Sequence, residues 1–164
     1  MEVGVRECDP EPVKTSRTAR LAQQPTTGVV RGFPRRGERR GLIARDMHGA
    51  HASDHHLLAF VKSDGPGLHH SSWDVASIDD IGLGMQHMVG CGHTRGWGLG
   101  RHVIGSNYFY YVQDPWGSFA EYYHDLDYIP EQCAWVPRDF PEQDSLSVWG
   151  PPVPPEFVEN AELA

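Results

Sequence analysis

His69-His-Ser-Ser-Trp-Asp-Val75, followed at once by Ser77-Ile-Asp-Asp-Ile-Gly-Leu-Gly-Met-Gln-His-Met-Val-Gly90, is the stretch whose reading decides the fold. The first part reads as a short strand. The second opens on a helix-capping signal, with Ser77 three residues before the acidic Asp80. Ile78, Ile81, Met85, Met88 and Val89 then recur at helical spacing and give one apolar face. Gly82 and Gly84 weaken this helix by about 1 kcal/mol each relative to Ala. A strand running into a capped helix is the start of a β-α unit.

Working outward, His55-His-Leu-Leu-Ala-Phe-Val61 is an apolar run closed by Ser63-Asp-Gly-Pro-Gly67, hence strand and turn. After the helix, Gly90, Gly92, Gly96, Gly98 and Gly100 read as a glycine-rich connection. Residues 99–104, 108–112 and 119–123 read as three further strands, the last two joined by an Asp114-Pro-Trp-Gly117 turn. The order is one strand, then β-α-β-β-β, which makes the fold class α+β.

The 164 residues suffice for one domain with its own core. Their net charge of -8 hides a split. Residues 1–45 hold ten Lys and Arg against five acids, and the rest holds four against seventeen. Without periodicity, Trp or Tyr, residues 1–45 are expected to be a disordered or non-native leader. The basic run from Arg31 to Arg40 could be a nucleic-acid arm, but the folded part is acidic, so no nucleic-acid partner is expected. The tail, 137–164, is Pro-rich and acidic and is expected to lie as an irregular flap on the domain. No apolar run reaches the roughly 20 residues of a membrane span, and no secretory signal opens the chain. Cys8, Cys91 and Cys133 lack metal-ligand spacing and read as reduced thiols, with Cys91 buried, which points to the cytoplasm.

All ten histidines follow residue 47. Residues i and i+2 of a strand share a face, so His70, Ser72 and Asp74 form one row, and Phe119, Glu121 and Tyr123 another. If the two rows meet inside a cup, His70 and Glu121 could bind one metal. A second histidine would complete the two-His-one-carboxylate triad of non-haem Fe(II) oxygenases. The competing reading is a set of buried, hydrogen-bonded histidines. His87 and His93 read as solvated or capping residues, and His124, at a strand end, is given no role.

Several spaced motifs then resemble the end of a type I extradiol catechol dioxygenase of the vicinal-oxygen-chelate superfamily. They are His56-Leu-Leu-Ala-Phe60, Gly67-Leu-His-His70, Gly100-Arg-His102, Tyr108-Phe-Tyr-Tyr111 and Asp114-Pro-Trp-Gly-Ser-Phe-Ala-Glu121-Tyr-Tyr. The intervals of 14, 32 and 19 residues between His56, His70, His102 and Glu121 fit as well. The late Trp149-Gly-Pro-Pro152 resembles the tail of dioxygenases acting on catechol and biphenyl-type diols. The resemblance implies a βαβββ module with a mixed curved sheet over residues 52–136, a range that opens on the last strand of a missing module, around His55–Val61. It implies His70 and Glu121 as metal ligands, His56 as an acid/base beside the O2 site, and His102 and Tyr111 as contacts to the substrate hydroxyls. It implies Fe(II), with Mn(II) as the other candidate, and a catecholic diol and O2 as substrates. Pairing with a second copy of the chain is left open.

One departure qualifies this. The family's first ligand is a His roughly sixty residues before the second, and here that position falls near Cys8-Asp9-Pro10, with no His before His48. The expectation is therefore a truncated enzyme lacking its first His ligand. The alternative is an inactive binding or dimerisation module, or a non-functional fragment. His48, His51 and His55 are the nearby residues that could substitute.

Overall fold

The computed structural model describes residues 28–31, 44–131, 140 and 146–163. In chain order the strands are β1 Gly28–Arg31, β2 Ala44–His48, β3 Ser53–Asp54, β4 Leu58–Val61, β5 His70–Asp74, β6 Gly96–Arg101, β7 Tyr108–Gln113, β8 Phe119–His124 and β9 Tyr128–Ile129. Among the described residues one α-helix, α1, spans Ile78–Gly90. The central sheet runs in the order β5-β8-β7-β6. β8, β7 and β6 are successive antiparallel neighbours, while β5 lies parallel to β8. The sheet is thus mixed, and α1 is the crossover that a parallel pair requires. The expected β-α-β-β-β order is the one observed.

The helix starts where the capping signal lies. Ser77 Oγ accepts from the Asp80 backbone N–H at 3.2 Å and donates to the Asp80 carboxylate at 2.9 Å. Ile81 is fully buried and packs with Val75, Tyr110 and Val112. Met85, Met88, Ala120 and Tyr122 surround that cluster. Val89, counted in the apolar face from its spacing, is 46% exposed because it lies in the last turn, beyond the sheet.

β6 begins three residues earlier than expected, and the glycines read as a connection are themselves the strand. A Cβ on Gly96 would lie 2.1 Å from the Tyr111 carbonyl oxygen, so only glycine lets β6 come this close to β7. Gly98 has φ +126°, and the register shifts between Gly98 and Gly100, the mark of a bulge. Asp114-Pro-Trp-Gly117 forms the expected turn: the Asp114 carboxylate accepts from Trp116 N–H at 2.8 Å, and Gly117 supplies φ +97°.

Composition predicted disorder throughout 1–45, yet β1 and the start of β2 fall inside that range. They are strands because β4 offers an edge: β2 pairs antiparallel with β4, and β1 with β2. Tertiary pairing overrides local composition here. The remainder of that stretch lies outside the described residues.

The sheet face opposite α1 carries the second cluster, Trp97, Phe109, Tyr111 and Phe119. The C-terminal segment crosses this face as a strap. Arg101 N–H donates to Trp149 O at 3.0 Å, Val148 N–H to Arg101 O at 2.8 Å, and the Trp97 indole to Pro151 O at 3.0 Å. Phe157, in a 3-10 turn at Pro155–Val158, is buried against Trp97, Tyr111 and Phe119. Among the described residues no helix is long and apolar enough to cross a membrane.

Candidate active site

Register builds the site. In the parallel pair Ser72 lies opposite Glu121 and His70 opposite Phe119, and in the antiparallel pair Tyr111 lies opposite Glu121. His70 and Ser72 of β5, Glu121 of β8 and Tyr111 of β7 therefore share the face under the strap. The two rows read from the sequence meet as neighbours in one sheet, rather than as opposing walls of a cup. His70 Nε2 lies 3.7 Å from Glu121 Oε2, and His102 Nε2 lies 3.7 Å from Oε1. Ser72 Oγ donates to Oε2 at 2.5 Å, and Asn107 Nδ2 to Oε1 at 3.4 Å. The Tyr111 hydroxyl donates to His102 Nε2 at 3.0 Å.

His102 follows the end of β6, held by a backbone bond from its N–H to Asn107 O at 2.8 Å. The hairpin between them turns through Gly105 and Ser106, both with positive φ, and Arg101 pins it by donating to Ser106 O at 2.9 Å. A cavity of about 810 Å³ opens on His56, His70, Asn107, Phe119 and Glu121, with Leu58 and Phe60 of β4 on its apolar side. His56 thus shares the cavity with the proposed ligands, its Nδ1 lying 3.1 Å from His55 Nδ1. His102 and Tyr111 stand behind Glu121 and do not line this cavity. The structure brings His70, His102 and Tyr111 together around Glu121 and leaves His56 on the cavity wall.

The electrostatics follow from burial. Desolvation pushes His70 down to about 4; the Glu121 charge pulls it upward, and His69, His56 and His102 add to the fall. His70 is therefore a neutral imidazole at neutral pH, the form that ligates a metal. Burial alone would raise Glu121, but the hydrogen bonding around it, the Ser72 hydroxyl included, outweighs burial and holds the carboxyl below its usual range. Tyr111 is raised well above the usual phenol range by burial and by the Glu121 charge, so it stays a donor. A neutral imidazole nitrogen and a buried carboxylate facing each other fit two positions of a divalent iron or manganese site. Among the described residues no group of three His, Cys, Asp or Glu is placed to hold a metal, and His48, His51 and His55 do not complete one.

Three contributors escaped the sequence reading. Ser72 and Asn107 hold the carboxylate, but Ser and Asn carry no distinctive signal in a strand or hairpin. Asp46, on β2, is half-buried; burial raises its carboxyl while His56 and His102 pull it down. Its strand lies at the edge of the stretch read as leader. The cysteine reading needs correction: Cys91 is half-buried and held in a disulfide, not a buried free thiol. It sits in the exposed turn that ends α1, where a thiol is open to pairing, and the expectation of a reducing compartment loses that support.

No protein-family model matches the chain. Over 115 residues, 70% of the chain, it is 57% identical to metapyrocatechase 2 of Cupriavidus necator. The chain spans only 36% of that relative's length. Among solved structures, a halotolerant catechol dioxygenase superposes with a TM-score of 0.61 at 24% identity, over 76% of this chain and 39% of its own. The Mn(II)-bound glyoxalase of Novosphingobium aromaticivorans superposes with a TM-score of 0.63 at 24% identity, over 84% of this chain and 46% of its own. At such identities these two similarities speak for the fold, an α+β module with a curved mixed sheet.

Proposed function

We propose that this chain, which resembles the type I extradiol catechol dioxygenases of the vicinal-oxygen-chelate superfamily, carries the His70–Glu121 side of a ring-cleaving centre for catechol-type diols. The observation that carries the reading is the convergence of His70, His102 and Tyr111 on one buried carboxylate, in a chain 57% identical over 115 residues to a metapyrocatechase. His70 Nε2 and Glu121 would hold Fe(II), or Mn(II) in its place. That ion, when bound, supplies Lewis acidity toward a diol hydroxyl and the means to react with O2.

The chain's own residues do the rest. The cavity beside Leu58 and Phe60 excludes water from one face of an aromatic ring and orients it toward Glu121. The resemblance gives His102 and Tyr111 to the diol hydroxyls, but neither lines this cavity, so their part here is to hold the Oε1 side of the carboxylate from behind. His56, on the cavity wall, is assigned the acid/base role: its ring takes a hydroxyl proton and returns it to the product. The product class is a yellow hydroxymuconic semialdehyde. The organisation that goes with this reading is a module over 52–136, the preceding segment at its edge, and a C-terminal strap over 137–164.

A second reading is favoured by one observation: no third ligand joins His70 and Glu121 among the described residues. On it, the module binds an aromatic ligand without chemistry. Oxygen uptake separates the two. The purified chain is loaded anaerobically with Fe(II) and given catechol or 2,3-dihydroxybiphenyl. Uptake with a yellow product, abolished in Glu121→Ala, is expected. A folded, iron-loaded chain that takes up no oxygen overturns the enzymatic reading in favour of binding alone.

A further inference from the structure

The strap touches the site through two backbone carbonyls, and each has a consequence for where protons sit. A carbonyl oxygen only accepts. The Phe157 carbonyl lies 2.6 Å from His69 Nε2, so His69 carries its proton there and donates it. With that ring neutral, His69 Nδ1 is a bare acceptor. It lies 2.5 Å from His70 Nδ1, so His70 must donate from Nδ1. The remaining nitrogen of His70, Nε2, is then a lone pair, and it is the one facing Glu121 Oε2 at 3.7 Å. Independently, the Leu146 carbonyl lies 2.6 Å from His102 Nδ1, which therefore donates. His102 Nε2 is left as a lone pair that accepts from the Tyr111 hydroxyl and faces Glu121 Oε1.

We infer that the C-terminal strap sets the tautomers of both site histidines, His102 directly and His70 through His69, so that two Nε2 lone pairs are presented to the Glu121 carboxylate. His69 is a positioning residue in this scheme. It lines the cavity beside His70 but has no contact with Glu121; it fixes the ring that does, and its own ring is held edge-on by Phe157 at 4.7 Å between centroids. An acceptor nitrogen opposite an acceptor oxygen, with no hydrogen between them, is a place built for a cation. The functional consequence, tighter metal binding, rests on the ligand roles proposed above, whereas the tautomers stand without any metal.

The experiment is long-range nitrogen–proton NMR at pH 8 on the full chain with labelled histidine, together with Mn(II) titration followed by electron paramagnetic resonance. His70 and His102 are both expected as Nδ1–H, Nε2-bare rings. His69→Phe keeps the ring packing but can neither donate nor accept. It is expected to release His70 into a mixture of tautomers and weaken Mn(II) binding about tenfold or more, leaving His102 unchanged. His69→Gln, which can donate to Phe157 O and accept from His70, is expected to restore both. An Nε2–H ring at His70 in the wild-type chain, or a His70 tautomer unmoved by His69→Phe, overturns the inference. Tautomers as expected in a wild-type chain that binds no Mn(II) would uphold the inference and defeat the ligand assignment instead.

Discussion

A buried carboxylate with several partners can be read one group at a time, and Asn107 is the informative one. It is 3% exposed; its amide donates to Glu121, while its Oδ1 has no partner. An unsatisfied buried acceptor costs roughly 1–3 kcal/mol, comparable to what its two long hydrogen bonds, to Glu121 and to the Tyr108 carbonyl, contribute. Asn107→Leu should therefore leave the unfolding free energy from urea titration within about 1 kcal/mol of wild type while weakening Mn(II) binding, because Glu121 loses a donor. A large stability loss would show instead that the amide is structural. His55 gives a pH signature. It is 3% exposed, and burial, reinforced by His56 and His48, lowers it to about 4. Between its unfolded value of about 6.5 and 4, the unfolded chain binds a proton that the folded chain does not. Stability is thus complete above pH 6.5 and lost on acidification through that window, on the order of 1–3 kcal/mol. Urea unfolding at pH 7.5 and pH 5 checks this; His55→Phe should reduce the difference, and the part that remains belongs to His70, which is lowered to about 4 as well.

Glycines decide matters at the level of strands and helix, and they do not all act alike. The α1 glycines looked equivalent in sequence. A Cβ on Gly82 meets nothing within 4 Å, whereas one on Gly84 comes 3.1 Å from the Tyr122 ring. Gly82→Ala should accordingly stabilise by about 0.5–1 kcal/mol in thermal unfolding, with little gain from Gly84→Ala. In β6 the sign reverses. Gly96→Ala drives a methyl group into the Tyr111 carbonyl and should cost about 1–3 kcal/mol or prevent folding, since backbone cannot step aside. Local signals made α1, β7, β8 and the turn between them legible, because period, cap and Asp-Pro-Trp-Gly each act over a few residues. β6 was misplaced because glycine weakens every local signal, and its strand conformation comes from β7. β1 and β2 were missed for a similar reason: their partner, β4, is supplied by the rest of the chain.

Across the whole molecule, the strap is held to the sheet by one large apolar contact and a few backbone bonds. Phe157→Ala removes that contact and should cost about 3–5 kcal/mol locally, opening residues after 146 to proteolysis while the sheet survives. Limited digestion with mass spectrometry reads the cut sites; protection equal to wild type would refute the anchoring role. The site was legible as far as its residues lie on strands: His70 and Glu121 follow from a period of two. That they are neighbours follows only from the parallel closure, which no local pattern announces.

That closure has a kinetic side. β5 opens the β-α-β-β-β unit and β8 ends it, so Ser72 and Glu121 meet across 49 positions of chain. β6, β7 and β8 are joined by short hairpins, and a parallel strand can dock only after the helix has crossed over them. The ordering entropy of that long loop falls due before its contacts return anything. During refolding, the far-ultraviolet signal of helix and hairpins should rise first, and capacity for Mn(II) should arrive with the slowest phase. A chain newly leaving the ribosome would carry every site residue up to Glu121 and still have no site until its last strand found its first.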